Sequence, residues 1–114
     1  MAIKGYDAVA YHTSGKALPG SESLTREWMG STWRFVSDDN RSEFRSAPDR
    51  FAPAHGGFCG LAVSSGFTAD TKPQAWHIAE GRLFLFNDED PKADWVASLQ
   101  SGVIATGDAN WATR

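Results

Sequence analysis

The chain has 114 residues, a formal net charge of −3 and 41% hydrophobic residues, which fits a single domain spanning residues 1–114 and leaves no room for a second. An acidic chain whose Lys and Arg are scattered lacks the concentrated positive patch of a nucleic-acid binder. The single cysteine excludes an intrachain disulfide, and no stretch approaches the ~18–20 apolar residues of a membrane span.

The first elements along the chain are a strand and a hairpin. The apolar run Asp7–Tyr11 predicts a short strand, and a loop follows it up to Ser21. Two arms rich in β-branched and aromatic residues, Arg26–Met29 and Thr32–Val36, flank Gly30-Ser31. This pattern predicts a β-hairpin.

A helix follows the first hairpin. Ser37 and the acidic pair after it are typical of an N-cap with carboxylates in the first helical turn. We expect the helix to run to about Ser46 and to end before Pro48. Pro48–Phe51 predicts one more helical turn.

The remaining elements are a short helix, a second hairpin and two further helices. The helical spacing of Phe58, Leu61 and Ala62 predicts a short buried helix that ends near Gly66. The other predictions are a hairpin of Ala75–Ala79 and Arg82–Phe86, a helix that opens with Asp90 as its N-cap and Pro91, and a last helix over Val103–Trp111. The sequence shows no internal repeat.

These elements together predict the fold class. Two hairpins, one leading strand and three or four short helices make an α+β domain, in which one small antiparallel sheet is built from the two hairpins and the helices pack on it. The five Trp, seven Phe and two Tyr indicate that rings fill most of the core.

Several motifs resemble the YHS-domain family, in the right order and along nearly the whole chain. They are Ile3–Tyr11, similar to "IKGYDPVAYF"; Gly30–Ser37 with Asn40–Phe44 and Pro48–Phe51, similar to the central signature; Ala52–Cys59, similar to "APxYGGYC"; and Gly107–Trp111, similar to "KADANWP". The chain most resembles the stand-alone bacterial members, which are often exported. The resemblance therefore implies a YHS-type fold and a periplasmic or exported location, while the sequence leaves open both a cytoplasmic location and the removal of a leader.

Family members include domains attached to heavy-metal-transporting ATPases and to some oxygenases, and the resemblance implies metal binding through cysteines. Here Ala10, Val36 and Asn40 stand at those cysteine positions. Only the cysteine matching Cys59 is kept, so a site made of thiolates alone does not carry over.

The richest candidate for chemistry is a transition-metal site. His55 lies four residues before Cys59, and imidazole with thiolate suits copper first, or zinc. A site needs three or four ligands, so His12 or His77 would have to complete it. The alternative is that Cys59 is a small buried thiol and the histidines cover the surface or cap loops.

The sequence leaves two further functions open. A metal-free structural or protein-interaction module would use the aromatic residues of the hairpins as its surface. A thiol-dependent enzyme, with His55 as the base for Cys59, lacks any cysteine-hydrolase signature. The sequence therefore favours a small non-enzymatic binding or accessory domain, with an unidentified partner protein and an oligomeric state that it does not indicate.

Overall fold

The computed structural model describes residues Met1–Arg114 and has the α+β class that the sequence predicts. Six α-helices accompany two antiparallel hairpins, and short 3₁₀ turns cover Ala2–Gly5, Ala54–Gly57 and Leu99–Ser101. The main elements are α1 Ala8–Thr13, β1 Ser21–Trp28, β2 Ser31–Phe35, α2 Asp38–Ser46, α3 Pro48–Phe51, α4 Gly60–Ser64, β3 Lys72–Ala79, β4 Arg82–Phe86, α5 Glu89–Ala97 and α6 Val103–Ala112. No helix combines the length and the apolar character that crossing a bilayer requires.

The two hairpins do not join into one sheet. β1 pairs only with β2 and β3 only with β4, so the molecule has two separate two-stranded sheets. The expectation of a single small sheet was wrong in this respect. Each hairpin instead packs one of its faces on the helices of its own part of the chain. Its aromatic side chains are buried in this way, although the two hairpins share no hydrogen-bonded edge.

The segment predicted as a leading strand is helical. Asp7 is the N-cap of α1, and its Oδ1 accepts hydrogen bonds from the amides of Val9 (2.8 Å) and Ala10 (3.1 Å). Its Oδ2 accepts from the Val36 amide (2.8 Å) and from Asn40 Nδ2 (2.9 Å). A buried carboxylate with four donors fixes a helix start here, and capping therefore outweighs the strand-like apolar run.

α5 begins earlier than predicted. Its N-cap is Asp88, whose carboxylate accepts from the Glu89 amide at 2.8 Å, so Pro91 lies at the third helical position. The first-turn amides have no intrahelical partner, and Pro is therefore tolerated there. The helices α2, α3, α4 and α6 lie where the sequence predicts them.

The chain contains an internal structural repeat, contrary to the expectation from sequence. In residues 1–52 (the N-terminal half) and residues 53–114 (the C-terminal half) a 3₁₀ turn is followed by a short helix, a hairpin and a longer helix. Corresponding positions lie 51 or 52 residues apart. From residues 17–46 to residues 68–97 only Gly30/Gly81, Phe35/Phe86 and Asp39/Asp90 are identical.

The two hairpins match in detail. Both have an irregularity after the first pair, Ser21↔Phe35 and Lys72↔Phe86, and regular pairing from Thr25↔Arg34 and Trp76↔Leu85 to the turn. Both turns have two residues with positive φ, Met29-Gly30 and Glu80-Gly81, as a type I′ turn requires. The repeat is therefore one of backbone geometry, maintained by different side chains.

Each half has its own core. Val9, Trp33, Phe35, Phe44 and Phe51 fill the N-terminal half. In the C-terminal half the core consists of Cys59, Ala62, Ala75, Phe84, Phe86, Trp95 and Val103. In each half, the helix after the hairpin contributes one large ring, Phe44 or Trp95, that packs against two rings of the second strand.

A third cluster joins the halves and explains why β4 is apolar on both faces. Phe84 and Phe86 point into the core of their own half, while Leu83 and Leu85 pack with Tyr11 of the N-terminal half. The Tyr11 hydroxyl donates to the Pro73 carbonyl at 2.7 Å. The corresponding positions in β2 are Thr32 and Arg34, and this face of the first hairpin has no such partner.

Candidate functional site

Cys59, the central residue of the predicted metal site, is enclosed by hydrocarbon. Only 2% of the residue is exposed, and it belongs to the same cluster as Phe84, Phe86 and Trp95. It is the N-cap of α4, but its side chain makes no capping hydrogen bond, and its amide donates to the Ala69 carbonyl at 3.0 Å. The thiol therefore packs as a small apolar group.

His55 lies in the same half, in a left-handed backbone conformation with φ 58°. The residue is 6% exposed, and its ring lies against Phe84 and the edge of Trp111. Its Nε2 is 3.7 Å from Asp108 Oδ1, beyond hydrogen-bond distance, and its buried Nδ1 has no hydrogen-bond partner. One imidazole nitrogen is thus buried and free.

Burial, more than the two charges beside it, determines the protonation of His55. Burial lowers the pKa of His55, the Asp108 carboxylate raises it in part, and the charge of Arg82 lowers it further. Arg82 donates two hydrogen bonds of 2.9 Å to Asp108, and they hold the pKa of that carboxyl below its usual value. Asp108 is therefore a carboxylate already engaged by an arginine, and His55 is neutral near pH 7.

The other two predicted ligands lie elsewhere. His12, in the last turn of α1, places its ring edge-on against Phe51 in the N-terminal half, with centroids 5.4 Å apart. Burial lowers the pKa of His12, the Phe51 backbone opposes this shift, and the charge of Arg50 lowers the pKa further. His77 lies on β3 opposite Phe84, half-buried, with its ring 6.2 Å from that of Trp95.

The fold thus brings His55 and Cys59 to the core of one half, both beside Phe84, and leaves His12 in the other half. No group of three or more His, Cys, Asp or Glu side chains lies together in a way that could hold a metal ion. Cys59, His55, His12 and His77 thus do not meet at one point in this structure. Metal binding stays a prediction.

A groove of about 680 Å³ lies between the two halves. Its walls include the equivalent 3₁₀ turns, Ala2–Gly5 and Ala54–Gly57, one from each half. Four aromatic side chains line it, two from each half: Trp28, Trp33, Phe58 and Trp111. A volume of this size lies within the ~300–1,000 Å³ of small-molecule sites.

Several apolar side chains of the groove remain exposed. Met29, at the tip of the first hairpin, is 81% exposed, and Phe58, after the central turn, is 41% exposed. At Gly56 a Cβ atom would come within 3.3 Å of the Trp111 ring. Glycine at position 56 therefore leaves room for this ring on the groove wall.

Backbone strain is concentrated on the same walls. Five residues other than glycine have positive φ, and three of them, Ile3, Lys4 and Met29, line the groove. A fourth, His55, lies between the lining residues Ala54 and Gly56. A left-handed conformation is especially unfavourable for a β-branched residue such as Ile3 and costs about 1–3 kcal/mol. Strain of this kind is typical of functional surfaces.

The sequence patterns do not predict the groove or the Arg82–Asp108 pair, because their residues are distant in the chain. The left-handed residues lie in Ile3–Gly5 and His55–Gly57, and the adjacent glycines Gly56 and Gly57 are the one signal in the sequence that points to this place. Comparison of the chain with models of known protein families, with curated proteins and with solved structures gives no match.

Proposed function

We propose that this protein is a small non-enzymatic binding module whose ligand occupies the groove between its two halves. The observation that carries the proposal is the exposure of Met29 and Phe58 on the walls of a groove that also contains Trp28, Trp33 and Trp111. Exposed apolar side chains gathered in one concavity are typical of binding sites.

The strained turns support the same conclusion. Ile3 and Lys4 in one half and His55 and Gly56 in the other have left-handed backbones at equivalent places. Gly56 adopts this conformation without strain, whereas Ile3, Lys4 and His55 do not. Ile3 and Lys4 line the groove and His55 lies between two of its lining residues, so the strained positions surround the groove.

A fluorescence titration with N-phenyl-1-naphthylamine, a neutral flat aromatic probe, tests the proposal. Phe58→Ala removes a groove ring, and we expect it to weaken binding about tenfold. Phe67→Ala is the matched control, because Phe67 is 61% exposed and does not line the groove. If Phe58→Ala leaves the affinity for the probe unchanged, or if both variants lose the same affinity, the groove is not the binding site.

Membership of the YHS family, and with it an exported or periplasmic location, is part of the proposal. Its support is the ordered set of motifs from Ile3 to Trp111. Expression of the natural gene with detection of the mature protein in the cell envelope tests the location. Recovery only from the cytoplasm would contradict it.

A metal-binding module, with copper or zinc, is the second candidate. The observation that favours it is the buried, unpartnered Nδ1 of His55 in the half that also buries Cys59. Structural metal sites have four ligands and catalytic ones three plus a water, so His12 or His77 would have to move toward this pair.

Titration with Cu(I), Cu(II) and Zn(II), under reducing and oxidising conditions, tests the metal candidate. Stoichiometric binding that is lost in both Cys59→Ser and His55→Ala supports it. Binding that survives both substitutions rules out this ligand set.

A further inference from the structure

The charged residues on the groove walls differ in whether they have a partner. Lys4 pairs with Asp70 at 3.1 Å across the two halves, and Arg82 pairs with Asp108 at 2.9 Å. Arg50 also lines the groove but takes part in none of the ion pairs. Two cations of the groove, Arg50 and Arg114, therefore have no carboxylate partner, and Arg114 is engaged by Trp111, on whose ring it stacks and to whose carbonyl it donates.

Arg50 is an exposed residue on the wall of the groove. The residue lies on α3, between the two halves, and its guanidinium is 5.3 Å from the centroid of the Phe51 ring. The other groove charges are Asp49, its neighbour in the chain, and Arg114, which stacks on Trp111 at 3.7 Å. Four cationic side chains and two carboxylates thus line the groove of a chain whose net charge is −3.

The geometry points to a ligand class for the groove: a small aromatic anion, with its flat apolar body among the aromatic side chains and its carboxylate or sulfonate at Arg50. This inference rests on the proposed function and adds the charge of the ligand to it. Arginine is the side chain best suited to a planar anion, because its guanidinium donates two parallel hydrogen bonds.

The residues that line the groove indicate that its ligand has an aromatic body. Trp28 and Trp33 approach from one half and Phe58 and Trp111 from the other. Rings gain most from other rings in offset or edge-on contact. The four cationic side chains of the lining outnumber its two carboxylates, and this excess of positive charge favours an anion over a neutral body of the same shape.

Two fluorescent probes that differ in one group test this inference. 1-Anilinonaphthalene-8-sulfonate has the ring system of N-phenyl-1-naphthylamine and one added sulfonate. We expect the sulfonate probe to bind more tightly to the native protein, and Arg50→Gln to weaken it about fivefold while leaving the neutral probe unchanged. Asp49→Asn should tighten only the sulfonate probe, because it removes a repelling carboxylate.

Arg45→Gln is the matched control. Arg45 is an exposed arginine on α2 that does not line the groove, so its loss changes the net charge equally and should leave both probes unaffected. Near-UV circular dichroism of each variant confirms that its fold is native.

The possible outcomes separate the two proposals. A neutral probe that binds in the groove, with a sulfonate probe that binds no more tightly and ignores Arg50→Gln, overturns the anion inference alone. Equal weakening of the sulfonate probe by Arg45→Gln and Arg50→Gln also overturns it, because bulk charge would then explain the effect. If neither probe binds, both this inference and the proposed groove function fail.

Discussion

Asp7 and Cys59 occupy the same position in the two halves of the molecule. Each is the N-cap of the first helix of its half and follows a left-handed 3₁₀ turn. Each amide donates to a loop carbonyl, of Leu18 at 2.9 Å and of Ala69 at 3.0 Å. The side chains differ in chemistry: the carboxylate gathers four donors, and the thiol packs among rings.

The residues around this position differ accordingly. Asn40 donates to Asp7 in the N-terminal half, and the corresponding residue in the C-terminal half is Pro91. Proline has no amide proton and no side-chain donor. The same backbone is thus stabilised by a polar network in one half and by apolar packing in the other.

The first prediction compares these two residues. Asp7→Ala leaves the buried amides of Val9 and Ala10 and the part-buried amide of Val36 without an acceptor, and each unsatisfied buried group costs about 1–3 kcal/mol. We expect a total loss of at least about 3 kcal/mol for Asp7→Ala, and about 1 kcal/mol for Cys59→Ala, which removes one apolar atom. Urea unfolding followed by tryptophan fluorescence measures both. Equal, small losses would show that Asp7 is not a structural centre.

Local sequence signals predicted much of the fold. Ser37 with its acidic neighbours marked the start of α2, and Gly30 and Gly81 marked both hairpins, because capping and type I′ turns depend on a few adjacent residues. Asp7–Tyr11 was misread because an apolar run of this length fits a strand or a buried helix, and the capping contacts to Val36 and Asn40 come from distant residues.

The repeat and the groove were beyond local signals. The repeat is maintained by pairs such as Trp33/Phe84 and Phe44/Trp95, which conserve size and burial but not identity. The groove is formed by turns of both halves, and at Ile3 tertiary contacts hold a β-branched residue in a conformation that its own preference disfavours. No pattern along the chain specifies such a residue.

The second prediction concerns the interface between the halves. Leu83 is fully buried against Tyr11, whereas Thr32, the equivalent residue of the first hairpin, is half-buried without such a partner. Leu83→Thr should therefore cost about 2–4 kcal/mol, through lost apolar contact and a buried hydroxyl. The reverse change, Thr32→Leu, should alter the free energy of unfolding by less than about 0.5 kcal/mol.

Chemical denaturation of both variants tests this comparison. If Thr32→Leu destabilises as much as Leu83→Thr, the two hairpin faces are equivalent in the folded protein. The claim that Tyr11 covers the Leu83 face of the second hairpin, and that the Thr32 face of the first has no such cover, would then be wrong.

The third prediction is a loss of stability below neutral pH. Burial lowers the pKa of His12 and His55 in the folded state, so the unfolded chain binds protons more readily. The two histidines contribute fully to the free energy of unfolding above their unfolded pKa of about 6.5. This contribution decreases as the pH falls from there through their lowered pKa values in the folded protein. The free energy of unfolding should therefore decline between about pH 7 and pH 5.

A double variant is the control for this pH dependence. His12→Gln removes one titrating group, and His55→Asn removes the other with a residue that tolerates positive φ. The carboxyls with lowered pKa, Asp70, Asp88 and Asp108, act only at more acidic pH. A decline that persists unchanged in the double variant would contradict the assignment to these histidines.

The fourth prediction concerns Asp108. Its carboxylate raises the pKa of His55, so Asp108→Asn should lower that pKa further, which an NMR titration of the ring protons measures. The Arg82–Asp108 pair is about two-fifths exposed, so its loss should cost no more than about 1 kcal/mol in stability. An unchanged or raised pKa of His55 would show that Asp108 does not act on this ring.

The five tryptophans allow the most direct test of the groove as the binding site. Trp28, Trp33 and Trp111 line the groove, whereas Trp76 and Trp95 do not. In an NMR titration with N-phenyl-1-naphthylamine, each indole N–H gives its own signal. We predict that the signals of the three groove tryptophans shift with one common saturation curve and that those of Trp76 and Trp95 stay in place. Shifts confined to Trp76 or Trp95, or saturation without movement of the groove signals, would contradict the account.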